Sequence, residues 1–477
     1  MYKNIFFIIS ILTFVSFSCH TEQSKENRPN IILVMSDDQG WGQTGYYGHP
    51  ILKTPHLDQM AENGLRLDRF YAGAPVCSPT RATVLTGRAN DRSAVYDHGM
   101  PMRIQEKTIA EALKAEGYRT AHFGKWHLNG LRGPGVPILK NDKRNPGTFG
   151  FDEWISVTNF FDIDPLMSDN GEIKEYKGSS SDIIVKQALK YISAPDSKPF
   201  FVVIWYGSPH KPWRAIKNKK NKLPDNLDKE QKNYLGEIVE IDHSIGLLRN
   251  ELKKLDLSKN TLLWFNSDNG GLKAGGKPGV GGLRGFKGDI YEGGIRVPCV
   301  IEWPGHINAG QVSQYPASTM DIFPTIADIL NLPDTIFTKP TDGNSIYPVF
   351  NSNIHSRKNP IPFKFRNKGA LIDNDYKLVV ENVEKKEYAL YHLEEDKTES
   401  MDVLSSKPDI GQNMINHYES WLQSVLESIE GVDYEGGLER RDPERVFWWD
   451  LPEYEDFIEK HGNRQEYHNR LKSAGKI

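Results

Sequence analysis

Cys77-Ser78-Pro79-Thr80-Arg81-Ala82-Thr83-Val84-Leu85-Thr86-Gly87 is the stretch on which the reading of this chain turns. Proline suits a first helical turn, where its missing N–H leaves no bond unmade, and glycine suits the position just past a helix end. The spacing therefore predicts a helix with Cys77 at its N-terminus and Gly87 as its stop. Arg81 falls four residues on, on the same side as Cys77. Free amides and the positive end of the helix dipole favour an anion, or an anionic nucleophile, at such a start.

Working outward, four short apolar runs end in polar, chemically able residues. Residues 30–35 run into Ser36-Asp37-Asp38, and 118–123 into Gly124-Lys125-Trp126-His127. Residues 200–205 lead to Ser208-Pro209-His210, and 261–266 to Ser267-Asp268-Asn269-Gly270-Gly271. Runs of this kind read as parallel strands covered on both faces. Helical patterns alternate with them over 108–116, 183–191 and 234–254, which predicts a doubly wound α/β sheet. Ligands bind such sheets beyond the carboxyl ends of the strands, where all four polar sequences lie. Asp37, Asp38, Asp268 and Asn269 are hard oxygen donors, better suited to Ca²⁺ than to zinc.

The Cys77 stretch resembles the signature of type I sulfatases, Cys-x-Pro-x-Arg with Thr-Gly further on; Cys77, Pro79, Arg81, Thr86 and Gly87 are all in register. Gly124-Lys125-Trp126-His127 and Ser208-Pro209-His210-Lys211-Pro212 resemble two further family segments. Residues 283–298 resemble a second long signature, and Tyr391-His392-Leu393-Glu394-Glu395-Asp396 the family's final hairpin. The resemblance implies the alkaline-phosphatase-like fold, a large mixed sheet flanked by helices plus a smaller C-terminal antiparallel-sheet subdomain. It implies that a formylglycine-generating maturation enzyme oxidises Cys77 to an aldehyde, whose hydrate attacks sulfur. One Ca²⁺ is implied beside it, held by Asp37, Asp38, Asp268, Asn269 and the modified Cys77. Catalytic roles fall on Cys77, Arg81, Lys125, His127, His210 and Lys287. Lys125 and Lys287 contact sulfate, and His127 takes a proton from the diol. His210 binds sulfate or serves the leaving group. Arg284 is read as a substrate contact, and His98 as a residue that could line the pocket. His122 reads as a packed histidine, and Lys217, Lys219, Lys220 and Lys222 as a solvated basic face.

Residues 1–19 read as a lipoprotein-type signal region: a basic start, a short apolar core, and Ser18-Cys19 at its end. The apolar core is too short for a comfortable membrane span. Lipidation of Cys19, with Phe17 imperfect for a lipobox, would tether the chain through residues 20–29 to a bacterial membrane, in the periplasm or at the cell surface. Without lipidation the chain would be periplasmic. The catalytic α/β domain is expected over 30–335 and the subdomain over 336–430, leaving a charged, aromatic tail over 431–477. Of the three cysteines, Cys299 reads as part of a buried strand, so no disulfide framework is expected.

With 477 residues the chain can hold one large domain and a smaller one. A net charge of −4 argues against nucleic-acid binding. The expected substrate is a sulfated polysaccharide or its oligosaccharides, with algal ulvan favoured among them. Two alternatives stand beside this reading. One is a formylglycine-dependent phosphonate or phosphodiester hydrolase on the same fold, and the other a catalytically inactive glycan-binding lipoprotein.

Overall fold

The computed structural model describes residues 28–477; the apolar leader and Cys19 lie outside them. Ten strands form one mixed sheet. They are β1 (Asn30–Ser36), β2 (Leu65–Leu67), β3 (Arg119–Lys125), β4 (Glu153–Val157), β5 (Leu166–Asp169), β6 (Glu172–Glu175), β7 (Phe200–Trp205), β8 (Thr261–Ser267), β9 (Cys299–Glu302) and β10 (Gln311–Ser313). Their order is β10-β2-β9-β8-β1-β7-β3-β4-β5-β6. The four runs read as strands are the centre of the sheet, and β8, β1, β7 and β3 pair in parallel. Antiparallel strands extend it on both sides, β9 beside β8 and β5 beside β4.

Strands β1, β7 and β8 are buried along their whole length, as near-continuous apolar runs require. Successive side chains point to opposite faces. Ile31, Leu33 and Met35 meet Phe201, Val203 and Trp205 on one face, while Ile32 and Val34 meet Val202 and Ile204 on the other. Helices α1 (Pro55–Asn63), α2 (Cys77–Thr86), α3 (Ile109–Ala115), α4 (Ser180–Ile192), α5 (Lys229–Lys254) and α6 (Ile322–Ile329) cover the two faces. Helices α2, α3 and α6 pack on the first face and α1, α4 and α5 on the second. Capping boxes start α3, from Thr108 and Glu111, and α5, from Asp228 and Gln231. An N-cap of this kind is worth about 1 kcal/mol.

The second region is an antiparallel sheet of β11 (Ile361–Phe365), β12 (Lys368–Asp373), β13 (Tyr376–Asn382) and β14 (Glu387–His392). Helix α7 (Pro408–Ile429) covers one face through Met414 and Tyr418. The tail does not trail into solvent. Its residues Val446–Phe447 pair in parallel with Leu131–Arg132, and Trp448 is fully buried against Leu131, Val136 and Leu166 of the first region. Burying one large apolar side chain stabilises by about 1.5–3 kcal/mol, so Trp448 and Trp449 fasten the tail. The expected basic face is only partly solvated. Lys219 is buried, because the short helix Lys217–Lys220 packs against α5.

Candidate active site

The doubly wound topology sends the ends of β1, β3, β7 and β8 to one rim of the sheet. Asp37 and Asp38 follow β1, His127 follows β3 (which ends in Lys125), His210 follows β7, and Asp268 and Asn269 follow β8. Backbone bonds tie these ends together: Asp37 N–H donates to Ser208 O and Asp268 N–H to Ser36 O, each at 3.0 Å. Helix α2 points its N-terminus at the same place. Gly87 takes the left-handed conformation at its end, φ 69°, and donates to Thr83 O, the role its lack of a Cβ suits.

Cys77 Sγ lies 3.3 Å from Asp37 Oδ1 and 3.4 Å from Lys287 Nζ. Lys287 also reaches Asp38 Oδ1 at 2.5 Å, and Lys125 Nζ reaches Asp37 Oδ2 at 2.6 Å. Arg81 donates to Asp268 Oδ2 at 2.7 Å and lies over the Trp205 ring, its Cζ 5.0 Å from the centroid. Asn269 donates to Asp38 Oδ1 at 2.8 Å. His210 Nε2 stands 3.9 Å from Asp38 Oδ2, and the ring is stacked on Phe160 at 4.9 Å. His210 Nδ1 lies 2.6 Å from Lys211 O. That bond makes Nδ1 the protonated nitrogen and leaves Nε2 facing the carboxylates. Asp38 and His127 hold positive φ, 72° and 56°, a conformation uncommon outside glycine and concentrated at functional sites.

Ligand atoms of Asp37, Asp38, Cys77 and Asp268 all lie within 4.8 Å of one another, and Asn269 Oδ1 is buried with no hydrogen-bond partner. Three carboxylates and a spare amide oxygen form an oxygen-rich cage that fits one hard divalent cation. The charges say the same. Burial pushes the Asp268 carboxyl up to about 7 and the Asp37 carboxylate adds to this, while Arg81 opposes it. Burial also acts to raise Asp37, but Lys125, His210 and Arg81 outweigh it and hold that carboxyl well below the usual range. Burial raises the Cys77 thiol well above its ordinary value, helped by Asp268 and Asp37. As a plain thiol Cys77 is protonated here, unlike reactive cysteines, whose pKa values are lowered.

His127 is buried beside Lys125, and burial followed by the Lys125 charge holds it well below its ordinary pKa. Its Nδ1 has no partner. His122 is fully buried, with Nδ1 at 2.7 Å from Ser156 Oγ and its ring edge-on to Trp126 and Trp205, in keeping with a packed histidine. Arg284, read as a substrate contact, makes its bonds elsewhere. It lies 3.7 Å over the Tyr291 ring and donates to Glu399 O at 2.5 Å, joining the loop to the second region. Glu292 is buried in a similar tie, accepting from Lys377 Nζ at 3.0 Å. Sequence reasoning missed Phe160, Trp205 and the amide of Gly99, which donates to Ser78 Oγ at 2.7 Å; no motif marks them.

A family model described as Sulfatase matches residues 29–332. N-acetylgalactosamine-6-sulfatase of Rattus norvegicus is 33% identical over 340 residues, covering 64% of this chain and 62% of that protein. The chain thus spans less than two thirds of that relative's length. The ulvan-active sulfatase of Formosa agariphila is 30% identical over 360 residues, 69% of this chain and 68% of its own. The crystal structure of Ps i-CgsB in complex with k-i-k-neocarrahexaose matches with a TM-score of 0.73 and 26% identity, over 83% of this chain and 92% of that one.

Proposed function

The chain belongs to the sulfatase family and has its alkaline-phosphatase-like fold, and from that premise we propose that it hydrolyses sulfate esters of a sulfated glycan. The observation that carries this reading is the position of Cys77. It sits at a helix N-terminus, 3.3 Å from a carboxylate of the oxygen cage and 3.4 Å from the Lys287 ammonium. Oxidised to formylglycine by a maturation enzyme, position 77 supplies the nucleophilic oxygen of a hydrated aldehyde. Asp37, Asp38, Asp268 and Asn269 would hold Ca²⁺, which offsets negative charge at sulfate.

The surrounding residues follow from their positions. Lys125 and Lys287 present ammonium groups to a sulfate and neutralise charge that grows as the ester bond breaks. Arg81 keeps Asp268 and the strand ends in place. His210 Nε2 is the nitrogen free to protonate the departing sugar oxygen. Burial first, then the Lys287 charge, lower its pKa to about 4. The negative charge of an arriving sulfate acts the other way and favours the protonated ring. His127 offers an unpartnered Nδ1 to accept the proton of the diol hydroxyl when the aldehyde is regenerated.

Among glycans, algal ulvan is the favoured class, supported by the likeness to an ulvan-active sulfatase. We extend the proposal to export and to lipidation at Cys19, on the strength of the leader sequence. Cys19→Ala should move the protein from the membrane to the soluble fraction; unchanged partitioning would rule out the anchor. The hydrolase reading is tested by giving the matured enzyme a sulfate and a phosphodiester of one chromogenic alcohol. Preference for the phosphodiester would contradict it.

A further inference from the structure

The tail and the second region bring arginines to Asp97, two residues from Gly99. The link begins at Gly99, whose amide donates to Ser78 Oγ, one residue from Cys77. A Cβ on Gly99 would lie 3.6 Å from His127 Nε2 and 3.6 Å from the Arg132 side chain. Gly99 therefore separates a buried site histidine from the half-buried Arg132. Asp97 is two residues back, within about 7 Å of chain, and it gathers basic groups from three segments. Its carboxylate meets His98 Nδ1 at 2.9 Å, Arg366 from the β11–β12 turn at 2.9 Å, and Arg445 from the tail at 3.8 Å. Arg445 also donates to His98 O at 2.6 Å. Arg132 lies over the Phe447 ring at 4.5 Å and makes no ion pair with a carboxylate among the described residues.

Two guanidinium groups thus meet one carboxylate beside a half-exposed histidine, and a third, that of Arg132, whose side chain lies against Gly99, has no acidic partner among the described residues. The excess is positive, and it faces solvent: the Arg366 side chain is 63% exposed and that of His98 48%. Guanidinium groups suit planar, two-point pairing with sulfate or carboxylate oxygens. We propose that Arg132, Arg366 and Arg445, with His98, form a subsite for an anionic group on a sugar neighbouring the one whose ester is cleaved. This rests on the glycan-sulfatase reading and sharpens it, making the substrate polyanionic over at least two rings. It also gives the tail a task. The strand pairing at Val446–Phe447 and the buried Trp448 hold Arg445 in reach of His98.

The test is binding by the full chain in a Cys77→Ala background, which removes turnover, measured by calorimetry. The probes are sucrose octasulfate, for sulfate, and trigalacturonate, for carboxylate. The subsite predicts binding of at least one probe, weakened by added salt. Losing one charged pair should raise Kd about tenfold in Arg366→Gln and again in Arg445→Ala, while Lys253→Ala on a distant surface leaves Kd unchanged. Arg366 stands at an exposed turn, so Arg366→Gln decides the matter even if Arg445→Ala loosens the tail. Binding of neither probe, or Kd values equal to the parent's in Arg366→Gln, would overturn the proposal. Turnover of 4-nitrophenyl sulfate by the unsubstituted enzyme is measured separately. Arginine-dependent binding without such turnover would count against the sulfatase reading and leave the subsite standing.

Discussion

Arg81 Nη2 and Asp268 Oδ2 meet at 2.7 Å with neither side chain exposed. Arg81 donates besides to Lys125 O at 3.2 Å, so one guanidinium joins helix α2 to the ends of β3 and β8. Removing one partner of a buried pair typically costs about 3–5 kcal/mol, because the other charge is left uncompensated. Arg81→Ala should lose stability of that order in urea unfolding. Arg81→Lys should recover only part of it, since a lysine cannot reproduce the planar fork. A loss in Arg81→Ala below about 0.5 kcal/mol, the range of ordinary surface changes, would mean that the pair does not organise the site.

Calcium should stabilise the folded chain directly, because it would neutralise carboxylates that otherwise repel one another. At about 100 times its Kd a ligand of the native state contributes about 2.7 kcal/mol. The melting temperature should rise with calcium after stringent chelation, and Asn269→Ala should need more calcium for the same rise. Zinc acting as well as calcium would contradict the oxygen-cage assignment.

A pH dependence follows from Glu240 on α5. Its carboxylate accepts from Ile216 N–H at 2.7 Å and from Ser179 Oγ, and burial pushes its pKa up to about 7. An unfolded glutamate titrates near 4.3, so between about pH 4.3 and 7 the folded chain holds the extra proton. The stability from this group is present below the unfolded value and is lost as pH rises through the folded one. Glu240→Gln should flatten stability against pH in that window, as read by chemical unfolding at a series of pH values. An unchanged slope would show that Glu240 titrates normally.

His210 and Lys287 should separate by leaving group. A sugar alkoxide needs a proton as the S–O bond breaks and an activated phenolate does not. General acid catalysis typically contributes about 10²–10⁴-fold. His210→Ala should lose far more kcat/KM on a sulfated sugar than on an aryl sulfate, whereas Lys287→Ala should harm both alike. Equal losses for His210→Ala would assign the proton to another group.

Much of this was legible because the chemistry sits where local patterns end. The apolar runs before Asp37, Lys125, His210 and Asp268 define the central strands, and a parallel sheet can only send their ends to one rim. The helix from Cys77 to Gly87 carries its own start and stop signals. Long-range pairing is what local patterns do not carry. The ties from Arg284 to Glu399 and from Trp448 to Pro134 O depend on segments more than a hundred residues apart, so Arg284 read as a substrate contact and the tail had no evident place. Lys219 looked solvated because its neighbours are lysines. Its burial comes from packing on α5, which composition cannot register.

The most direct test joins the state of Cys77 to turnover. Protein made with increasing amounts of the maturation enzyme is digested for peptide mass spectrometry, and the same samples are assayed on 4-nitrophenyl sulfate. Activity should rise in proportion to the fraction of chains with aldehyde in place of the Cys77 thiol, and Cys77→Ala should be inactive. Full activity in protein whose Cys77 remains a thiol would contradict the formylglycine mechanism at its root.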